Sequence, residues 1–87
     1  MKYFYNQKDT KKDTYYTRED MKKVRIYPAT EKLMREFDTN PDTNLVPIST
    51  LGHHYGWEFG EFNNEDEARA ELRELLNTRI YETEHGL

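Results

Sequence analysis

The chain of 87 residues contains no cysteine, three prolines, four glycines and no long hydrophobic run. Without cysteine, neither a disulfide framework nor thiolate chemistry is possible. No apolar run approaches the roughly 18 residues that a membrane-spanning helix needs. The stretch from Met1 to Asn6 turns polar before the apolar region of a signal peptide could form. We therefore expect the protein in the cytoplasm of the cell that makes or hosts it.

Apolar residues are also scarce, at 34% of the chain against roughly 45–50%, glycine included, in an average globular protein. Low apolar content is typical of disorder, but disordered segments are poor in aromatics. This chain has one Trp, four Phe and seven Tyr. We therefore expect one folded domain over residues 1–87, in which large aromatic side chains supply most of the packing.

Charge is distributed unevenly along the chain. Residues 1–37 carry seven Lys and three Arg against three Asp and three Glu, which sums to +4. Residues 38–87 carry three Arg against three Asp and eight Glu, which sums to −8. Because these two sums partly cancel, the net charge of −4 does not show the uneven distribution. Because like charges kept together repel, such segregation indicates an interaction surface.

The residue pattern predicts an α+β fold. We expect a small, mostly antiparallel sheet of three to five strands, packed against a C-terminal amphipathic helix, with a second short helix. Strands are predicted where β propensity is high, at 2–5, 14–17, 24–27, 45–51 and 57–62. The first two of these are expected to form a strand, loop and strand. Pro47 predicts an edge strand or a bulge, Pro28 ends a strand, and Gly60 marks a bulge.

Three capping patterns predict where helices begin. Thr17 with Asp20 predicts a capping box over one helical turn, and Thr30 caps a helix over 31–37. Asn64 with Glu67 begins a helix predicted over 64–79, and the tail from 81 to 87 is expected to fray. The apolar stripe of this last helix follows at i, i+4, i+7 and i+8: Ala68, Leu72, Leu75 and Leu76.

No motif for catalysis, metal binding or cofactor binding is found in the sequence. His53 and His54 are adjacent, so on a strand they point to opposite faces and do not converge on a metal ion. Ser49 lacks the frame of a nucleophile elbow. The segment 52–56 lacks the Lys-Ser/Thr ending and the following helix of a phosphate loop. We therefore predict a protein that is not an enzyme and has no cofactor and no metal.

The C-terminal helix carries a row of acidic residues opposite its apolar stripe. Glu67, Glu71 and Glu74 fall within about 60° of one another at about 100° per residue. Acidic and aromatic residues just before the helix extend this row, and aromatics are typical anchors of protein interfaces. The alternative for such a row is a solvated helix face. The predicted protein-binding residues are Tyr55, Trp57, Glu58, Glu61, Glu67, Glu71 and Glu74.

This acidic surface favours a small inhibitor or adaptor that binds another protein. A partner with a basic, nucleic-acid-binding groove is expected, because carboxylates can take the places of phosphates there. Short acidic proteins of phages and mobile elements inhibit restriction or CRISPR nucleases. This chain shares their size, their charge and their lack of catalytic motifs, but no family motif.

The basic, tyrosine-rich N-terminal half is the second candidate surface. Aromatic rings that stack on bases, beside cations that contact phosphates, are typical of single-stranded nucleic-acid binding. The alternative is that these tyrosines build the core while the lysines face solvent. The residues concerned are Lys8, Lys11, Lys12, Tyr15, Tyr16, Lys22, Lys23 and Arg25.

A third hypothesis is a self-associating accessory protein. Because the core is thin, a homodimer is plausible on physical grounds. Leu45, Val46 and Ile48, or the apolar stripe of the C-terminal helix, would form its seam.

Overall fold

A computed structural model describes residues 1–11, 14–50 and 58–85, with side chains up to residue 81. The fold is α+β, as the sequence predicts. The elements in chain order are β1 (Tyr3–Asn6), α1 (Arg18–Lys22), β2 (Ile26–Pro28), α2 (Glu31–Thr39), β3 (Leu45–Pro47) and α3 (Glu65–His85). A short 3₁₀ turn, Gln7–Asp9, follows β1 directly.

The strands form one antiparallel sheet in the order β2-β1-β3. In the central strand, Phe4 lies opposite Tyr27 of β2 and Pro47 of β3. The prediction that Pro47 belongs to an edge strand is confirmed. Each edge strand ends at a proline, Pro28 or Pro47, and proline offers no N–H to an additional strand.

The core lies between this sheet and α3. Side chains alternate along β1, so Tyr3 and Tyr5 pack with α3 while Phe4 faces the other way. The Phe4 ring lies 5.4 Å from that of Phe37 in α2 and 5.0 Å from that of Phe59, centroid to centroid. The aromatic side chains of β1 therefore pack on both faces of the sheet.

The helix caps follow the sequence prediction. Thr17 and Asp20 form a capping box at α1. Thr30 Oγ1 accepts from the Leu33 N–H at the start of α2. At α3, Asn64 Oδ1 accepts a hydrogen bond of 2.9 Å from the Glu67 N–H.

The apolar stripe of α3 is buried, but the helix is longer than predicted. Ala68, Leu72 and Leu76 are 0%, 2% and 7% exposed, and Leu75 is half-buried. The stripe continues to Ile80, which is also buried and holds the last turns against the core. The prediction that the tail frays is wrong for residues 81–85, which are helical.

The strand predicted at 14–17 does not form. The side chains of α3 bond the backbone of this segment, so it does not pair with β1. Asn77 Oδ1 accepts from the Tyr16 N–H at 2.7 Å, while Asn77 Nδ2 and Arg73 Nε donate to the Tyr16 carbonyl at 3.1 and 2.9 Å. The predicted strand–loop–strand unit is therefore wrong, and β1 pairs with β2 and β3 instead.

Within the segment predicted as a strand at 57–62, residues 58–62 form no strand. Two separate backbone bonds join them to the sheet: the Gly60 N–H donates to the Ile48 carbonyl and the Phe62 N–H to the Met1 carbonyl, each at 2.9 Å. Gly60 is therefore not a bulge in a ladder. Tyr55 and Trp57 lie outside the described residues.

Among the residues that the structure describes, no helix is both long and apolar enough to cross a membrane.

Candidate functional site: a groove beside α3

A groove of about 890 Å³ lies between α1 and the first half of α3. Four of the predicted protein-binding residues line it: Glu61, Glu67, Glu71 and Glu74. Glu58 is exposed but is not part of the lining. The structure therefore brings together most of the predicted acidic row, on a surface shared with α1.

Glu67 and Glu61 illustrate how these carboxylates contact the rest of the chain. Glu67 Oε2 accepts from the Asn63 N–H at 2.7 Å, so Glu67 also helps to cap α3. Glu61 Oε2 lies 3.0 Å from the Met1 amino nitrogen, and Glu61 Oε1 lies 3.8 Å from Lys2 Nζ. The hydrogen bond from the Met1 amino group lowers the pKa of Glu61.

The groove is not uniformly acidic, because four cations also line it: Arg18, Lys22, Arg69 and Arg73. The two of these cations that lie on α3, Arg69 and Arg73, bond the backbone of the segment opposite. Arg69 Nη1 donates to the Met21 and Val24 carbonyls, the latter at 2.7 Å, and Arg73 Nε donates to Tyr16. These guanidiniums fix the walls of the groove.

The remaining charges differ in whether they have a partner. Lys22 Nζ lies 2.9 Å from Glu19 Oε1. The side chains of Asp66, Glu74 and Arg18 form no hydrogen bond or ion pair with the part of the chain that the structure describes. These three side chains can therefore engage a partner without first breaking a contact within the protein.

Arg69, Arg73 and Asn77 are structural residues that the sequence analysis missed. They follow one another at i, i+4 and i+8, and each comes one position after a buried residue of the apolar stripe. Polar side chains at the same spacing as a buried stripe lie along its border. This spacing is the signal that predicts a second row of contacts along α3.

The aromatic residues of the alternative nucleic-acid surface differ in their exposure. Tyr16 is 3% exposed, and its hydroxyl donates to the Lys11 carbonyl at 2.9 Å. The prediction that Tyr16 stacks on bases is therefore wrong, because its ring belongs to the core. Tyr15 is 47% exposed, and Tyr27 is half-buried.

Several cations of that surface lie beside carboxylates. Arg25 Nε donates to Asp9 Oδ2 at 3.0 Å, and this hydrogen bond lowers the pKa of Asp9. Lys11 Nζ lies 3.9 Å from Asp20 Oδ1. The predicted residues are distributed as follows: Lys8 and Lys23 are exposed, Lys11, Lys22 and Arg25 are exposed but paired with a carboxylate, and Lys12 lies outside the described residues.

The apolar seam predicted for a homodimer is largely used within one chain. Ile48 and most of the α3 stripe are buried, while Leu45, Val46 and Leu75 are half-buried. His53 and His54 lie outside the described residues. Among the residues that are described, no three His, Asp or Glu side chains converge in a way that could hold a metal ion.

No protein-family model matches this chain, and no curated protein or solved structure matches it either.

Proposed function

We propose that this protein is not an enzyme but an acidic inhibitor that binds another protein through the groove beside α3. The observation that supports this proposal is the convergence of Glu61, Glu67, Glu71 and Glu74 on one groove. The proposed partner is a protein with a basic, nucleic-acid-binding surface. Bound there, the carboxylates would occupy positions that phosphates otherwise take, so inhibition would be competitive with nucleic acid.

The charges of the groove support this mechanism. Arg69 and Arg73 donate to backbone carbonyls of the same chain, whereas Glu74 and Asp66 have no partner among the described residues. Neighbouring side chains one turn apart on a helix lie about 5–6 Å from each other. A basic partner surface would thus meet several carboxylates at short spacing, which increases the association rate at low salt.

The experiment is an affinity pull-down of the tagged protein from a nuclease-treated lysate, at low and at high salt. We expect the wild type to retain a nucleic-acid-processing protein and to lose it at high salt. Glu71→Lys with Glu74→Lys should lose the partner at low salt as well. The control, Glu36→Lys with Asp38→Lys, makes the same change of charge at exposed positions of α2, away from the groove.

The recovered protein is then assayed with and without the inhibitor. Its activity on nucleic acid should fall in the presence of the wild type and be unaffected by the groove variant. Equal recovery by the groove variant and the control would contradict the proposal. If RNA or DNA, not a protein, is recovered once the nuclease is omitted, the exposed lysines of the N-terminal half are the binding surface instead.

A further inference from the structure

On the exposed face of α3, a residue with a small side chain, Ala70, lies between two carboxylates. Asp66, Ala70 and Glu74 follow one another at i, i+4 and i+8, so they lie along one line of the helix, and all three are exposed. One turn of helix, about 5.4 Å, separates each pair. Because Ala70 carries only a methyl group, a second helix can approach α3 most closely at this point.

We propose that the groove binds an amphipathic helix of the partner protein, which crosses α3 at Ala70 and carries its basic residues on the edge that faces Asp66 and Glu74. This inference rests on the proposed function and specifies its partner. Helices that bind in grooves insert apolar residues at i, i+3, i+4 and i+7. Cations that flank such residues would lie one turn to either side of Ala70, beside the two carboxylates.

The size of the groove fits an occupant larger than one side chain. Its volume of about 890 Å³ lies near the upper end of the roughly 300–1,000 Å³ typical of ligand pockets. The apolar residues of the lining are Ala70, which is exposed, and Met21 and Phe62, of which only 2% and 8% are accessible. A helix that presents both apolar and basic side chains uses this lining more fully than a single arginine or lysine would.

The charged residues of the groove favour one orientation of the bound helix. Asp66 and Glu74 on α3 have no partner in the described part of the chain and attract cations. Arg18 on α1 also lines the groove without such a partner, and it repels cations. The basic residues of the bound helix are therefore placed toward α3 and away from α1.

The test uses a synthetic peptide as the probe. It is about 18 residues long, so that it can form a helix, with leucines along one face and arginines along one edge. A control peptide has the same composition in scrambled order. Binding of fluorescein-labelled peptides is followed by fluorescence anisotropy at low salt, and we expect the amphipathic peptide to bind at least tenfold more tightly than the scrambled one.

Three substitutions locate the peptide. Ala70→Trp places a bulky side chain at the proposed crossing point without a change of charge and should weaken binding at least tenfold. The matched control Ala70→Ser keeps the side chain small and should bind like the wild type. Glu74→Lys should also weaken binding. Arg18→Glu should strengthen it several-fold, because it removes the repulsive cation, and an acid is favoured at the start of α1. Circular dichroism and the melting temperature confirm that each variant is folded.

Equal affinity for the two peptides, or unchanged binding by Ala70→Trp, would overturn this inference. The proposed function fails separately. If the pull-down partner is lost with Glu71→Lys and Glu74→Lys but kept with Ala70→Trp, the acidic groove binds a partner whose contact is not a helix at Ala70. If neither peptide nor protein depends on any of these substitutions, both proposals are wrong.

Discussion

At Gly60 the structure leaves no room for a side chain. A Cβ at this position would lie 2.7 Å from Thr50 Cγ2 and 2.9 Å from Phe62 Cζ, and Phe62 is buried and cannot easily move. We expect Gly60→Ala to reduce the free energy of unfolding by about 1–3 kcal/mol, as other overpacked sites do. Urea unfolding monitored by circular dichroism measures this change.

The contact between a side chain at position 60 and the Thr50 methyl group can be removed separately. Thr50→Ser deletes the Cγ2 methyl group, so Thr50→Ser with Gly60→Ala should recover part of the lost stability. A double-mutant cycle then gives a coupling between the two positions. If Gly60→Ala is as stable as the wild type, or if the two changes add independently, the close approach does not explain this glycine.

The sequence identifies Gly60 as unusual but does not show why a glycine is needed at this position. A lone glycine in a stretch of strand-forming residues indicates either a bulge or a close approach of other atoms. The surrounding strand pattern favours the bulge. Thr50 lies ten positions earlier in the chain, so only the fold shows that its methyl group occupies the space of a side chain at position 60.

Asp9 makes stability depend on pH. The hydrogen bonds from the Arg25 side chain and N–H hold the pKa of Asp9 below its unfolded value of about 3.9. A lowered folded pKa contributes stability that is fully present above the unfolded pKa and is lost as the pH falls through the folded pKa. We therefore expect the urea midpoint to fall below about pH 4, and Asp9→Asn to show a shallower fall.

The control for this experiment is Asp42→Asn, which removes an exposed carboxyl group in the loop after α2. It should keep the wild-type dependence on pH. An acid-side slope that is the same for Asp9→Asn and the wild type would show that the contact with Arg25 does not contribute to stability in solution.

At the scale of elements, α3 shows which parts of the fold can be predicted from sequence. Its apolar stripe and its cap are local patterns, and both are found in the structure. The strand at 14–17 was predicted from β propensity, which describes a side chain's fit to a sheet and does not identify the partner. Here Asn77 supplies both a donor and an acceptor to Tyr16, as a neighbouring strand would.

The role of the Asn77 side chain, which bonds Tyr16 as a neighbouring strand would, is testable. Asn77→Ala leaves the N–H of Tyr16 without its acceptor in a partly buried place. We expect it to reduce the free energy of unfolding by about 1–3 kcal/mol, the usual cost of a buried polar group without a partner. Urea unfolding measures it, with Asn44→Ala as the matched control, since no hydrogen bond of the Asn44 side chain is found among the described residues. Equal stability of the two variants would contradict the role of Asn77.

At the scale of the whole molecule, the uneven charge of the sequence does not show which charges have partners. Several basic residues of the N-terminal half lie beside acids of the same half, as in the pairs Lys22–Glu19 and Arg25–Asp9. Arginines of α3 are bonded to backbone carbonyls. The sequence therefore predicts the acidic row itself, whereas the groove and the identity of its unpaired charges depend on how α1 packs on α3.

The same distribution predicts that salt affects binding much more than folding. The ion pair between Lys22 and Glu19 is highly exposed, with 69% and 79% of the side chains accessible, and such pairs contribute little to stability. Raising sodium chloride from about 50 to about 500 mM shortens the Debye length well below 10 Å. We expect the melting temperature to change by only a few degrees, while the affinity for the basic peptide falls at least tenfold.

Both quantities are measured on the same samples, by thermal unfolding and by fluorescence anisotropy. The scrambled peptide is the control for charge alone, since it carries the same number of arginines without an apolar face. If the melting temperature falls together with the affinity, the loss of binding reflects unfolding. If the affinity does not change with salt, the contact is apolar, and the carboxylates at Asp66 and Glu74 do not hold the partner.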